Sequence, residues 1–188
     1  MVQTLELSLI LLGVLGLGVW AIVTGIRQSR KTPRIPVSPQ TLSALAQPYK
    51  RYMGEAVAIH KDVVAQAESA PDALKRELTN LSVRVEQLIE RALPRAKHGT
   101  NLTAYLLELS PAEPQYEQTK QAATKVDAEL NDFVTHLKTL RGKVYQVLTD
   151  ATTLSEDSYL ERDLQDALIE VEALEEAFSD VKSELESL

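Results

Sequence analysis

A chain of 188 residues carrying 20 Lys+Arg against 27 Asp+Glu, net charge −7, holds about one domain's worth of sequence besides a short targeting segment. It has no cysteine, which excludes a cysteine nucleophile and lipoprotein attachment and agrees with a reducing compartment. Glycine falls to Gly54, Gly99 and Gly142 after Gly25, while Ala, Leu, Glu, Lys, Gln and Val dominate, a composition of long helices rather than of sheets with tight turns.

Leu7 to Ile26 holds no charge, and only Ser8 and Thr24 carry polar side chains. A helix of about 20 such residues rises roughly 30 Å, enough to cross the hydrocarbon of a bilayer. A signal peptide would need a basic start, a shorter apolar core and a small-residue cleavage site. Met1 to Glu6 has no Lys or Arg, and Arg-Gln-Ser-Arg-Lys follows Ile26, so a retained transmembrane anchor is expected over residues 1–26. Gly13, Gly16, Gly18 and the pair Ala21 and Gly25 are small residues that would let a second membrane helix approach closely. Arg27, Arg30, Lys31 and Arg34 follow the span and no basic residue precedes it. Short basic flanks stay cytoplasmic, which predicts the N-terminus outside and residues 27–188 inside.

The flank, residues 27–38, is basic and contains Pro33 and Pro36, which favour an extended connector. Residues 27–98 carry 13 Lys+Arg against 7 Asp+Glu, and residues 99–188 carry 7 against 19. The membrane-proximal half therefore suits anionic headgroups, and the acidic distal half argues against nucleic acid as a partner.

Residues 39–188 predict an all-α bundle. Ser38-Pro39 is an N-cap followed by proline at the first helical position. Apolar residues then recur at helical spacing from Leu42 through Tyr49, Tyr52, Met53, Ala56, Val57, Val63 and Val64 to Ala67, with Pro48 expected to kink or restart the helix. Ser69-Ala70-Pro71-Asp72 closes this helix and opens a second, whose seam is Leu74, Leu78, Leu81, Val85, Leu88 and Ala92 and whose end is expected between Leu93-Pro94 and Gly99. The pair forms a hairpin over 39–98, and a short helix is expected over 101–110. Ser110-Pro111-Ala112-Glu113 is a capping box that opens a second hairpin, 111–188. Its first helix keeps a 3-4 seam across Tyr116, Thr119, Ala123, Val126, Leu130, Phe133, Leu137, Leu140, Val144, Val147, Ala151 and Leu154. Its second shows Leu160, Leu164, Ala167, Val171, Leu174, Phe178, Val181, Leu185 and Leu188. Such repeats imply an antiparallel four-helix bundle with coiled-coil-like packing.

Lys75, Arg84 and Arg91 flank the second helix's seam, and Glu161, Asp163, Glu170, Glu175 and Glu184 flank that of the last helix. Opposite charges beside two seams select neighbours, so these helices are expected to touch, within one chain or between subunits; otherwise Lys75, Arg84 and Arg91 form a partner face. Glu129, Glu170 and Glu175 are expected in solvent.

Nothing in the sequence assembles chemistry. His60 lies in an apolar stripe and reads as a core-edge residue. His98 beside Gly99 reads as a loop residue that caps the second helix. His136 shares a face with Glu129 and Asp132 but needs more donors to hold a metal. Asp150 to Glu161 has the length of an EF-hand loop but lacks its glycine and most of its oxygen ligands. No phosphate-binding glycine loop or hydrolase signature is present, so no catalytic, cofactor or metal site is expected, and not an enzyme. The layout, an N-out anchor followed by a helical bundle, is similar to that of LemA-type proteins, although no specific motif of that family stands in the sequence; a shared architecture does not carry function. The expected role is an adaptor, scaffold or accessory subunit of a membrane complex acting through protein–protein contact or self-association. The alternative is a bundle that senses anionic lipid at a membrane surface or a small apolar ligand.

Overall fold

Ser38 starts the first helix as its position implies. Its Oγ accepts the Thr41 N–H at 3.1 Å, its carbonyl accepts Leu42 N–H at 3.0 Å, and Pro39 opens α1, Pro39–Ser43. The Pro48 carbonyl then takes the N–H groups of Arg51 and Tyr52, so the helix restarts there as α2, Tyr49–Ser69. Proline has no N–H to continue a preceding turn but suits the beginning of a new one. At the far end Ala70 and Pro71 are extended, and the Pro71 carbonyl accepts Leu74 and Lys75 N–H, both at 2.9 Å, to begin α3, Asp72–Glu108. The computed structural model describes residues 36–153, 165–169, 171–174 and 176. The anchor stretch, with Gly13, Gly16, Gly18, Ala21 and Gly25, and the basic flank Arg27, Arg30, Lys31 and Arg34 lie outside the described residues. No helix among the described residues is long and apolar enough to cross a membrane.

One boundary differs from expectation. The second helix does not end near Pro94 or Gly99, and no separate short helix occupies 101–110: α3 is one helix of 37 residues that passes through both. Proline costs about 3 kcal/mol in a helix interior because it removes a hydrogen bond and crowds the carbonyl four residues back. Here Pro94 and Glu90, whose carbonyl is left without that donor, are both on the solvent side. On the other side the buried series continues across the proline through Ile89, Ala92, Arg95, Ala96 and Gly99. Fully burying one apolar side chain is worth about 1.5–3 kcal/mol, so the packed face outweighs the local penalty.

The capping box forms, with Ser110 N–H donating to Glu113 Oε1 at 3.0 Å. The helix proper begins later, as α4, Pro114–Thr153. Pro114 cannot donate to the Ser110 carbonyl, which takes Glu113 N–H at 2.9 Å instead. Proline also disfavours helical geometry in the residue before it.

Helices α2, α3 and α4 all pack on one another. The expected seams fill the core: Met53, Ala56 and Val63 from α2, Leu78, Leu81, Val85 and Leu88 from α3, and Leu130, Phe133, Leu137 and Leu140 from α4 are almost wholly shielded from solvent. The described part of the last segment is helical, and its Ala167, Val171 and Leu174 join the same core. Leu154, Leu160, Leu164, Phe178, Val181, Leu185 and Leu188 lie outside the described residues. Every regular element among the described residues is helical, and together they form a helical bundle.

Candidate interaction surfaces

Polar contacts lock the helices laterally. Arg95 on α3 reaches Glu129 on α4 with two bonds, Nε to Oε2 at 2.6 Å and Nη2 to Oε1 at 2.9 Å. The Arg95 side chain is 7% exposed and that of Glu129 27%, so this two-pronged pair is sheltered from water. Glu129, expected in solvent, is instead half-buried and paired with Arg95. Lys138 on α4 reaches Glu55 on α2 at 2.6 Å, and Arg141 reaches Asp62 at 3.1 Å. The Tyr52 hydroxyl donates to Asp127 Oδ1 at 3.0 Å.

The expected neighbourhood of α3 and the last helix holds at Arg84, whose Nη1 lies 3.1 Å from Glu172 Oε1 of the same chain. Arg84 is thus engaged internally rather than offered to a partner. Both side chains are substantially exposed, and such a surface pair adds only about 0–1 kcal/mol. Lys75 and Arg91 are exposed on α3. Glu170 and Glu175 lie outside the described side chains, as do Glu161, Asp163 and Glu184.

The histidines fall in three different settings. His60 is fully buried, and neither ring nitrogen has a hydrogen-bond partner. Burial pushes its pKa below the ordinary 6.5, against the pull of the Glu86 carboxylate. His98 is not a loop residue. It sits half-buried inside α3, where burial and then the Arg95 charge lower its pKa. His136 is exposed, its Nδ1 2.8 Å from the Asp132 carbonyl, while Glu129 is committed to Arg95. No group of three or more His, Asp or Glu converges as metal ligands among the described residues. Asp150, the first position of the EF-hand-like stretch, is still within α4.

Beyond Gly99, α3 runs to the end of the α3–α4 hairpin. Gly99 itself is needed for a close approach: a Cβ there would lie 2.5 Å from Tyr49 Cζ. Ala46 N–H donates to Thr100 Oγ1 at 3.1 Å, fixing the segment before α2 to this end of α3. Leu102 packs on the core, whereas Tyr105 is 44% exposed and Leu107 is 85% exposed. The buried Arg95 and the outward Leu107 are not apparent from helical spacing alone, which favours apolar residues inside and polar ones outside. Arg95 does fall three residues after Ala92, on the seam, and that register is the signal for it.

No family model, curated protein or solved structure matches the chain.

Proposed function

We propose that this chain is a single-pass membrane protein, N-terminus outside, whose helical bundle serves on the cytoplasmic side as an adaptor, scaffold or accessory subunit through protein–protein contact. The observation that carries the reading is the length of uninterrupted helix the bundle presents. Helices of 37 and 40 residues extend about 55 and 60 Å at 1.5 Å per residue. Their inner faces pack in the shared core; among the described residues the Arg95–Glu129 pair joins them directly, and Arg84–Glu172, Lys138–Glu55 and Arg141–Asp62 tie them to the neighbouring helices. Exposed along α3 are Lys75, Arg76, Arg91 and Lys97, interspersed with Asp72 and Glu90. Basic side chains along a helix of this length would help steer and orient an acidic partner. The uncharged run Leu7–Ile26 supports a membrane address for that partner.

Gentle detergent extraction followed by identification of co-purifying subunits tests the reading. A defined partner should co-purify with the wild type in fixed ratio and be lost from Lys75→Glu with Arg91→Glu. Recovery of the chain alone, or a partner indifferent to the charge reversal, would count against it.

A further inference from the structure

We propose that His60 is a proton-operated latch in the α2–α3 seam: neutral, its ring packs between the two helices, and charged, it swings out to the Glu86 carboxylate and loosens the seam. The inference stands apart from the adaptor reading and gives the bundle a response to mild acid.

The buried side of α2 has two flanks. Tyr52, Glu55 and Asp62 all reach α4, through Asp127, Lys138 and Arg141. At about 100° per residue, Glu55 and Asp62 lie about 140–160° round the helix from His60. His60 turns instead to α3, where the Glu86 carboxylate acts on its ring. Met53, Val57 and Val64 stand on the same flank of α2. His60 is 2% exposed, and neither ring nitrogen has a hydrogen-bond partner. Ser82, one turn before Glu86 and also buried, spends its hydroxyl on the Thr79 carbonyl at 2.8 Å. A leucine would fill such a place without leaving two polar atoms unsatisfied.

A charge cannot rest there. An imidazolium carries two N–H donors, and a site that satisfies neither gives it no shelter. Glu86 is only partly buried, so a ring turned toward it gains a carboxylate and water together. Ring inside and ring outside are two packings of one residue, and the proton selects between them. Once the ring leaves, the seam between Val57 and Val64 loses what fills it.

The other charged groups around α2 belong to types that ordinarily titrate outside the histidine range. The short α1 carries none. On α4, Asp127 takes the Tyr52 hydroxyl, Lys138 meets Glu55 and Arg141 meets Asp62. Lys61 is exposed beside His60, and Lys75 is exposed on α3, about three turns from Glu86. Glu172 of the last segment is engaged by Arg84. Of the two remaining histidines, His98 feels Arg95 and Glu129, and His136 meets the Asp132 carbonyl.

The chain has 3 histidines, so His98→Gln with His136→Gln leaves one imidazole to follow. The full-length wild type and this variant, in detergent micelles, are titrated by NMR of the histidine ring carbons and valine methyls. The His60 signal should reach its charged position with a midpoint below 6.5 while the bundle stays folded. A water-soluble paramagnetic probe should broaden that signal several-fold more below the midpoint than above it. The Val57 and Val64 methyls should shift with the same midpoint, and those of Val126, next to the Asp127 that holds Tyr52, should not. Glu86→Gln should lower the midpoint, because the carboxylate that receives the ring is gone. A midpoint at or above 6.5 overturns the inference, since the seam then does not hold the ring neutral. So does a charged ring that stays hidden from the probe, or one that leaves Val57 and Val64 unmoved. A midpoint indifferent to Glu86→Gln overturns it as well. If the proton arrives only as every dispersed signal collapses, the ring is charged by global unfolding and there is no latch.

Discussion

His60 puts an ionisable ring where the bundle can least accommodate a charge. With both nitrogens unpartnered in the core, the folded chain favours the neutral ring, and its pKa falls below 6.5 through burial, with the Glu86 carboxylate opposing. The unfolded chain takes up that proton near the ordinary value of about 6.5. The sign follows from linkage: the stability this residue contributes is whole above 6.5 and is lost as pH falls from there through the lowered folded value. His98, lowered by burial and then by Arg95, acts in the same direction. Thermal melting of the wild type should therefore decline from neutral to mildly acidic pH. His60→Leu should flatten that decline without abolishing it, since His98 and the carboxylates remain; identical pH profiles for the two proteins would show that His60 does not titrate across folding. Gly99 offers a second residue-scale test. Alanine is about 1 kcal/mol better than glycine inside a helix, yet the added Cβ would sit 2.5 Å from a buried tyrosine ring. Overpacking a core costs about 1–3 kcal/mol and should prevail, so Gly99→Ala is expected to lower the melting temperature. Tyr49→Leu in the same chain should recover part of the loss, and a rise in stability on Gly99→Ala would mean the ring yields freely.

At the scale of the element, α3 shows packing overriding local chemistry. Pro94 leaves the Glu90 carbonyl without its usual donor, a loss tolerated because both positions face solvent. Pro94→Ala should then stabilise the chain, by about 1–3 kcal/mol after the greater freedom of the unfolded alanine chain is set against the restored hydrogen bond. Denaturant unfolding gives the sign directly: an unchanged or lower midpoint would mean that the proline contributes something the helix needs. The same helix marks how far the sequence was legible. The seam from Leu74 to Ala92 follows from spacing alone, as do the restart at Pro48 and the turn at Ala70-Pro71. The continuation through Ala96 and Gly99 does not, since small residues give little hydrophobic signal and a proline and a glycine within six positions ordinarily end a helix. The Arg95–Glu129 clamp was hidden for another reason. Its halves are 34 positions apart, and a carboxylate beside a seam looks the same in sequence whether it meets water or an arginine from another helix.

For the whole molecule, charge and hydropathy are distributed in one direction along the chain: an uncharged stretch, a basic flank, a basic hairpin and an acidic remainder. If the basic flank holds its side of the membrane, a reporter active only outside the cytoplasm should be silent when fused after Leu188 and active when fused before Met1. The reverse pattern would move the bundle, and every partner proposed for it, to the opposite compartment.

The packing of α2 against both of its neighbours has a consequence in time. Ala46 waits for Thr100, 54 residues later, and the Tyr49 hydroxyl for the Ala123 carbonyl, 74 residues later. At about 5–20 residues per second of synthesis, the first partner arrives about 3–11 s after its mate and the second about 4–15 s after. During that interval the side of the α2 stripe that α4 will fill stays uncovered. The α2–α3 hairpin can close before α4 exists, so the nascent chain passes through a two-helix stage whose open side is the face α4 will later fill. A ribosome-associated chaperone or a neighbouring nascent copy would find its target beside Tyr52, whose hydroxyl later meets Asp127 of α4, and would lose it when α4 completes the core.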